Sequence, residues 1–293
     1  MARTRARRPV SRTVELADAR VLHARVWEGE GVPLVLLHGL LDSSEGWTDL
    51  CRSTRRPCVA FDLPGFGASD MPAFPAFSSY AHDVIAGVEE LVDGEFALVG
   101  HSLGGAIATA VAERIPSRVC ALLLLAPAGF GRIRLAEAIS LPGMRNLTQL
   151  ALPRALRSRV AVGTAYRVMI ANELGAADDI IDRVVAHGDL VPAAREATKA
   201  VVRGGLSKRA FHRRRIDYSG PVTVVWGDHD RLVPVAHMAG VAHAFPHVDA
   251  HVWPGMGHHP QLERPDELLA LIESICGRAR AARARGASVT KAA

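Results

Sequence analysis

Apolar positions along the chain fall into two textures, short runs and helically spaced patterns. Residues 14–16 and 20–27 alternate apolar and polar side chains, as half-buried antiparallel strands do, and Glu28-Gly29-Glu30-Gly31 then forms a turn. Residues 33–37, 58–61, 96–99 and 119–125 are continuous apolar runs of strand length, the signature of parallel strands covered on both faces, and 221–226 resumes the same texture. Between them Tyr80, Val84, Ile85, Val88, Leu91 and Val92 recur at helical spacing, and a second helical segment runs from about 103 to 114. A helix over 235–245, a strand over 248–253 and a closing helix over 265–276 complete the series. Strands alternating with helices predict an α/β fold with a mostly parallel, doubly wound sheet.

Between about 131 and 215 the strand-like runs stop, apolar residues recur at helical spacing, and Pro142, Pro153 and Pro192 act as breakers. This predicts a helical cap inserted between two core strands. The expected division is therefore core over 13–130 and 216–276, cap over 131–215, and basic, disordered tails over 1–12 and 277–293.

A chain of 293 residues, about half of them apolar, can bury one large core plus an accessory subdomain. No apolar run approaches the roughly twenty residues needed to span a bilayer, and Arg7-Arg8 is not followed by the apolar region of an export signal. A cytoplasmic protein without membrane contact is expected. The formal charge of +5 is a property of the tails, which hold Arg3, Arg5, Arg7, Arg8 and Arg12 at one end and Arg278, Arg280, Arg283, Arg285 and Lys291 at the other, with no acids. The body between them is net acidic, so no nucleic-acid partner is expected. The cap is basic within that acidic body, with about sixteen basic and seven acidic residues. Cys51, Cys58, Cys120 and Cys276 show no metal-type spacing and are expected as free thiols, with no metal and no cofactor. A monomer or homodimer acting on a small-molecule substrate is the plain expectation.

Candidate chemistry begins at Gly100-His101-Ser102-Leu103-Gly104, a G-x-S-x-G pattern between an apolar strand and a helix. Glycines on both sides permit a strained strand-to-helix turn that projects the serine hydroxyl above a sheet. A serine hydroxyl attacks at neutral pH only when a base removes its proton, and a histidine is the expected base. Gly257-His258-His259-Pro260 supplies His258, with His259 as the competitor. The histidine in turn needs a carboxylate to fix its tautomer, and Gly227-Asp228-His229-Asp230 offers Asp230, with Asp228 as the competitor.

These segments, with His38-Gly39-Leu40, the run from Asp62 to Ser69, and Glu263-Arg264-Pro265, resemble the α/β-hydrolase fold superfamily from about residue 14 to 276. The resemblance implies Ser102, Asp230 and His258 as a catalytic triad and the backbone N–H groups of Leu40 and Leu103 as the oxyanion hole. It favours Asp230 over Asp228 and His258 over His259. His38 is expected as support of its loop; Gly39 and His101 are expected beside the substrate, and Trp47 and Phe66 either line the acyl pocket or pack. The implied activity is cleavage of a carboxylic ester through an acyl-enzyme. Alternatives are hydrolysis of a C–C bond in a ring-fission diketo acid, cofactor-free perhydrolysis, and a non-catalytic binding module. Serine at position 102 argues against the relatives that use an aspartate nucleophile.

Overall fold

A computed structural model describes residues 7–139, 154–169, 177–186, 191–206 and 210–290. The strands are β1 (Val10–Glu15), β2 (Val21–Trp27), β3 (Leu34–Leu37), β4 (Cys58–Phe61), β5 (Phe96–His101), β6 (Val119–Leu125), β7 (Val222–Gly227) and β8 (Val248–Trp253). They form one eight-stranded sheet in the order β1-β2-β4-β3-β5-β6-β7-β8. Pairing is antiparallel for β1–β2 and β2–β4 and parallel from β4 to β8.

The continuous apolar runs follow from this topology, because successive side chains of a strand point to opposite faces. Val35 and Leu37 face one core cluster, which holds Tyr80, Val84 and Val88 of α2 (Phe77–Leu91) and Leu103, Ile107 and Val111 of α3 (Leu103–Arg114). Leu34 and Leu36 face the other, with Leu50 and Cys51 of a short helix, α1 (Thr48–Ser53), and Leu268, Ile272 and Ile275 of the long C-terminal helix. Both faces are covered, and each fully buried leucine contributes about 2 kcal/mol of hydrophobic stabilisation. All four cysteines are buried and free. Burial pushes the Cys120 and Cys276 thiols up to about 11, so they stay protonated at neutral pH.

Between β6 and β7 every regular element among the described residues is helical: α4 (Arg134–Ile139), α5 (Arg159–Met169), α6 (Ala177–Ala186), α7 (Val191–Leu206) and a 3₁₀ turn at Phe211–Arg213. Leu156, Val162, Tyr166, Ile181 and Val184 form a small apolar cluster of their own, which packs on Leu41 and Leu262. α7 differs, because Ala193, Ala194, Ala197, Ala200 and Val201 join the core cluster of α2 and α3. Pro192 occupies the first turn of α7, where its missing N–H costs nothing, so it starts a helix rather than breaking one. Pro142 and Pro153 lie outside the described residues.

Both tails differ from expectation. β1 begins at Val10, inside the segment expected to lack order, and pairs Val10 with Val26 and Arg12 with Ala24. The Arg7 guanidinium donates to the carbonyls of Cys51 (2.9 Å) and Arg56 (2.8 Å), and to those of Thr54 and Glu28. The closing helix does not stop near Cys276. It is the first part of a helix after α8 (Met238–Ala244) and α9 (Pro260–Glu263), namely α10, which spans Pro265–Thr290. Alanine and arginine have high helix propensity, which sustains the helix without an apolar face. Among the described residues no helix is long and apolar enough to cross a membrane.

Candidate active site

Ser102 sits at the junction of β5 and α3 with φ 52° and ψ −113°, a conformation that costs a non-glycine residue about 1–3 kcal/mol. The surroundings impose it. A Cβ on Gly100 would lie 2.4 Å from the Gly104 oxygen, and a Cβ on Gly104 would lie 2.3 Å from the Leu37 oxygen, so only glycine fits at either position. The Ser102 amide donates to the Leu125 carbonyl (2.9 Å), and the Ser102 carbonyl accepts from the Ala128 amide (2.9 Å), which ties the turn to the end of β6. α3 starts immediately after Ser102, so the Leu103 N–H belongs to its first turn, where amides lack intrahelical acceptors and the helix dipole favours negative charge.

Asp230 and His258 meet at the neighbouring strand ends. A Cβ on Gly227, the last residue of β7, would lie 2.1 Å from the Met256 oxygen, so the loops after β7 and β8 touch backbone to backbone. Asp230 is buried, and its Oδ1 accepts from the amides of Leu232 and Val233, both at 2.9 Å. Its Oδ2 accepts from His258 Nδ1 at 2.7 Å, with the two side chains 0% and 2% exposed. Three donors therefore offset the desolvation of the carboxylate. Asp228 instead lies on the surface and accepts from the Gly255 amide at 2.7 Å.

His259 has no carboxylate. Its ring stacks on Tyr166 of α5 at 5.5 Å, and neither ring nitrogen has a hydrogen-bond partner among the described residues. Burial, and then the neighbouring His258, hold it well below the ordinary histidine range. Among the described residues no hydrogen bond joins the Ser102 hydroxyl to His258, whose ring instead lies 4.8 Å from that of His101, the residue preceding Ser102.

The profile of the alpha/beta hydrolase fold family matches residues 32–265. The chain belongs to the α/β-hydrolase fold family. This hydrolase-fold chain is 28% identical over 241 residues to the dihydrolipoyllysine-residue acetyltransferase component of the acetoin cleaving system of Pseudomonas putida, covering 81% of the chain. It spans 61% of that relative's length. Among solved structures it is similar to a bacterial membrane phospholipase A, at 23% identity and a TM-score of 0.72 over 93% of this chain and 87% of that one. It is also similar to the 2-hydroxy-6-oxo-6-phenylhexa-2,4-dienoate hydrolase of Rhodococcus sp. strain RHA1, at 18% identity and a TM-score of 0.71 over 92% and 99%. Likeness at such identities speaks for the fold.

The remaining residues singled out in the sequence of this α/β-hydrolase fall into two groups. Gly39 lies against Ser102: a Cβ there would be 3.3 Å from Ser102 Cβ and 2.8 Å from His101 Nδ1, which brings the loop bearing the Leu40 amide over the elbow. The others are buried in the protein. His38 donates from Nδ1 to the Gly39 carbonyl (2.7 Å) and accepts at Nε2 from the Leu63 amide (2.9 Å), so both ring nitrogens hold the loop. Phe66 is fully buried with its ring edge-on to His38 at 5.7 Å, and Trp47 packs in the core with Trp27, Leu34 and Leu36. Packing is thus the role of both. His101, expected beside the substrate, is buried and bonded to the His258 carbonyl. The sequence pattern places it next to Ser102 and says nothing of this contact.

Two further residues carry no sequence signal of their role. Glu263 is buried, and its carboxylate accepts from the amides of Gly257 (2.8 Å) and His259 (3.1 Å), on either side of His258. Asp62 accepts from the amides of Ser44 (2.7 Å) and Ala68 (2.9 Å) and from His23 Nδ1 (2.8 Å). Burial alone would raise its carboxyl, but His23, His38 and the two amides together hold it well below the usual carboxylate range.

Proposed function

We propose that this chain is a serine hydrolase that cleaves the ester bond of a small carboxylic ester through an acyl-enzyme on Ser102. The observation that carries the reading is the buried 2.7 Å bond between Asp230 and His258 beside a serine held in a strained strand-to-helix turn. His258 Nε2 takes the Ser102 proton as Oγ attacks the substrate carbonyl carbon. The amides of Leu40 and Leu103 hold the developing oxyanion, and each such donor is worth about 100-fold to 1000-fold. His258 then protonates the departing alkoxide. In the second half-reaction it accepts a proton from water, whose oxygen attacks the acyl carbon; as the acyl carbon–Oγ bond breaks, His258 returns that proton to Ser102 Oγ and the acid is released. Asp230 stays ionised throughout and keeps the Nδ1 proton of His258 in place. Tyr166 and the cluster around it form a lid over the loops of Leu41 and Leu262, where it excludes water and selects the acyl group by shape.

The test is hydrolysis of p-nitrophenyl esters of increasing acyl length, beside a vinylogous diketo acid that would report C–C cleavage. The reading expects turnover of an ester and loss of at least about 10³-fold in Ser102→Ala. Ester turnover by Ser102→Ala at the wild-type rate overturns it.

A further inference from the structure

No step of that acyl transfer uses His101, although it stands next to the nucleophile and is 1% exposed. Its Nε2 lies 2.8 Å from the carbonyl oxygen of His258, 157 residues away in the chain. A carbonyl only accepts, so the ring proton is on Nε2 and Nδ1 is an acceptor. The side chain of Gln261 meets that acceptor with its amide nitrogen at 3.2 Å. Both contacts therefore select one neutral tautomer, and burial, followed by the neighbouring His258 and His259, keeps the ring uncharged.

What this bond supplies is apparent from the loop that carries His258. The loop leaves β8 through Gly255, at φ 70°, and regains regular structure at Pro260. It is held at three kinds of point: Asp230 takes the imidazole, Glu263 takes the amides of residues 257 and 259, and His101 takes the carbonyl of His258 itself. The His101 ring also packs against Gly39 of the oxyanion loop, where a Cβ would come within 2.8 Å of Nδ1. One side chain thus touches the loops of the base and of the oxyanion donor while its own backbone continues into Ser102. Misplacement of a catalytic group by about 1 Å can cost on the order of 100-fold in rate, so a direct tie between base and nucleophile bears on turnover.

On the reading of Ser102, Asp230 and His258 given above, we propose that His101 is a positioning residue that ties the backbone of the general base to the nucleophile elbow, with Gln261 selecting the tautomer that makes the tie. A glutamine at 101 can place an amide N–H where Nε2–H stands, whereas a leucine fills the space without a donor. His101→Leu should lower the rate constant for labelling by a fluorophosphonate probe by about tenfold, the effect of losing one buried hydrogen bond. kcat on p-nitrophenyl butyrate should fall in parallel, with KM within about twofold, and His101→Gln should recover most of both.

The wild type and Ser102→Ala are labelled alongside: a wild type that stays unlabelled defeats the serine-hydrolase reading, whereas a labelled wild type leaves His101 to be judged by its own variants. Labelling of His101→Leu at the wild-type rate overturns the proposal, as does a His101→Gln no faster than His101→Leu. A purely structural role would lower the melting temperature and leave the rate per folded molecule unchanged, which also overturns it. Should His101→Leu fail to fold, Gln261→Met removes the tautomer-selecting donor without touching the ring. A threefold or greater slowing is then expected, and an unchanged rate refutes the proposal.

Discussion

Asp230→Asn is the sharpest perturbation of the site, because it changes one atom and no volume. In the wild type Oδ1 is committed to the Leu232 and Val233 amides at 2.9 Å, and these donors require an oxygen. An asparagine therefore keeps its oxygen there and turns its NH₂ toward His258 Nδ1, where Oδ2 now stands at 2.7 Å. Two donors cannot face each other at that distance, so the imidazole gives up the Nδ1 proton and carries its proton on Nε2. The nitrogen that must accept from Ser102 is then blocked. The same inversion in the serine-protease triad costs about 10⁴-fold in kcat. That corresponds to about 5 kcal/mol of barrier. Stability should change far less, since the two amide bonds remain.

The assay is steady-state hydrolysis of an ester that the wild type turns over, with fluorophosphonate labelling as a second readout and Asp228→Asn as comparison. Asp228 meets the Gly255 amide on the surface, so its variant should stay within about threefold of wild type. If Asp230→Asn retains activity within about tenfold of wild type, or Asp228→Asn is the more damaged, the acid has been misassigned.

Two structural predictions follow. Asp62 has a depressed carboxyl in the folded state, so it contributes stability that is present above its unfolded value near pH 4 and lost as the pH falls through its folded value. Guanidinium unfolding of Asp62→Asn at pH 2 to 7 should give a flatter profile than wild type below about pH 4; parallel profiles would refute the assignment. Gly104→Ala places a methyl 2.3 Å from the Leu37 carbonyl and should cost about 3 kcal/mol or prevent folding, read by thermal unfolding and soluble yield. A melting temperature equal to wild type would show that the elbow tolerates a side chain at 104.

The sequence is most legible where local pattern and global packing require the same thing. β3, β4, β6 and β7 lie between two covered faces, so nearly every residue is apolar, Thr223 being the polar exception, and the runs stand out. β1 lacks that constraint: of its six residues Val14 alone is buried, and backbone pairing with β2 holds the rest. Its apolar pattern could not locate its start at Val10. The extension of α10 is hidden for a related reason, since helix propensity without an apolar stripe leaves no periodic mark.

At the site the same division holds. Ser102 is visible because a strained turn needs glycines on either side of it, and Asp230 and His258 are visible from their loops after known strands. His101 and Glu263 are not, because their roles are set by which backbone groups the fold leaves bare around His258. His38 shows how the two kinds of information combine. Its motif marks a loop of the oxyanion region, and its two bonds to backbone show that the ring builds the loop's shape. Ser102, Asp230 and His258 are announced by motif, whereas the residues that hold them in place are disclosed by the hydrogen bonds they complete. The cap obeys neither rule. The cluster that holds Tyr166 and Ile181 meets the core at Leu41 and Leu262, beside Leu40 on one side and close to His258 on the other, through packing, for which no short motif exists.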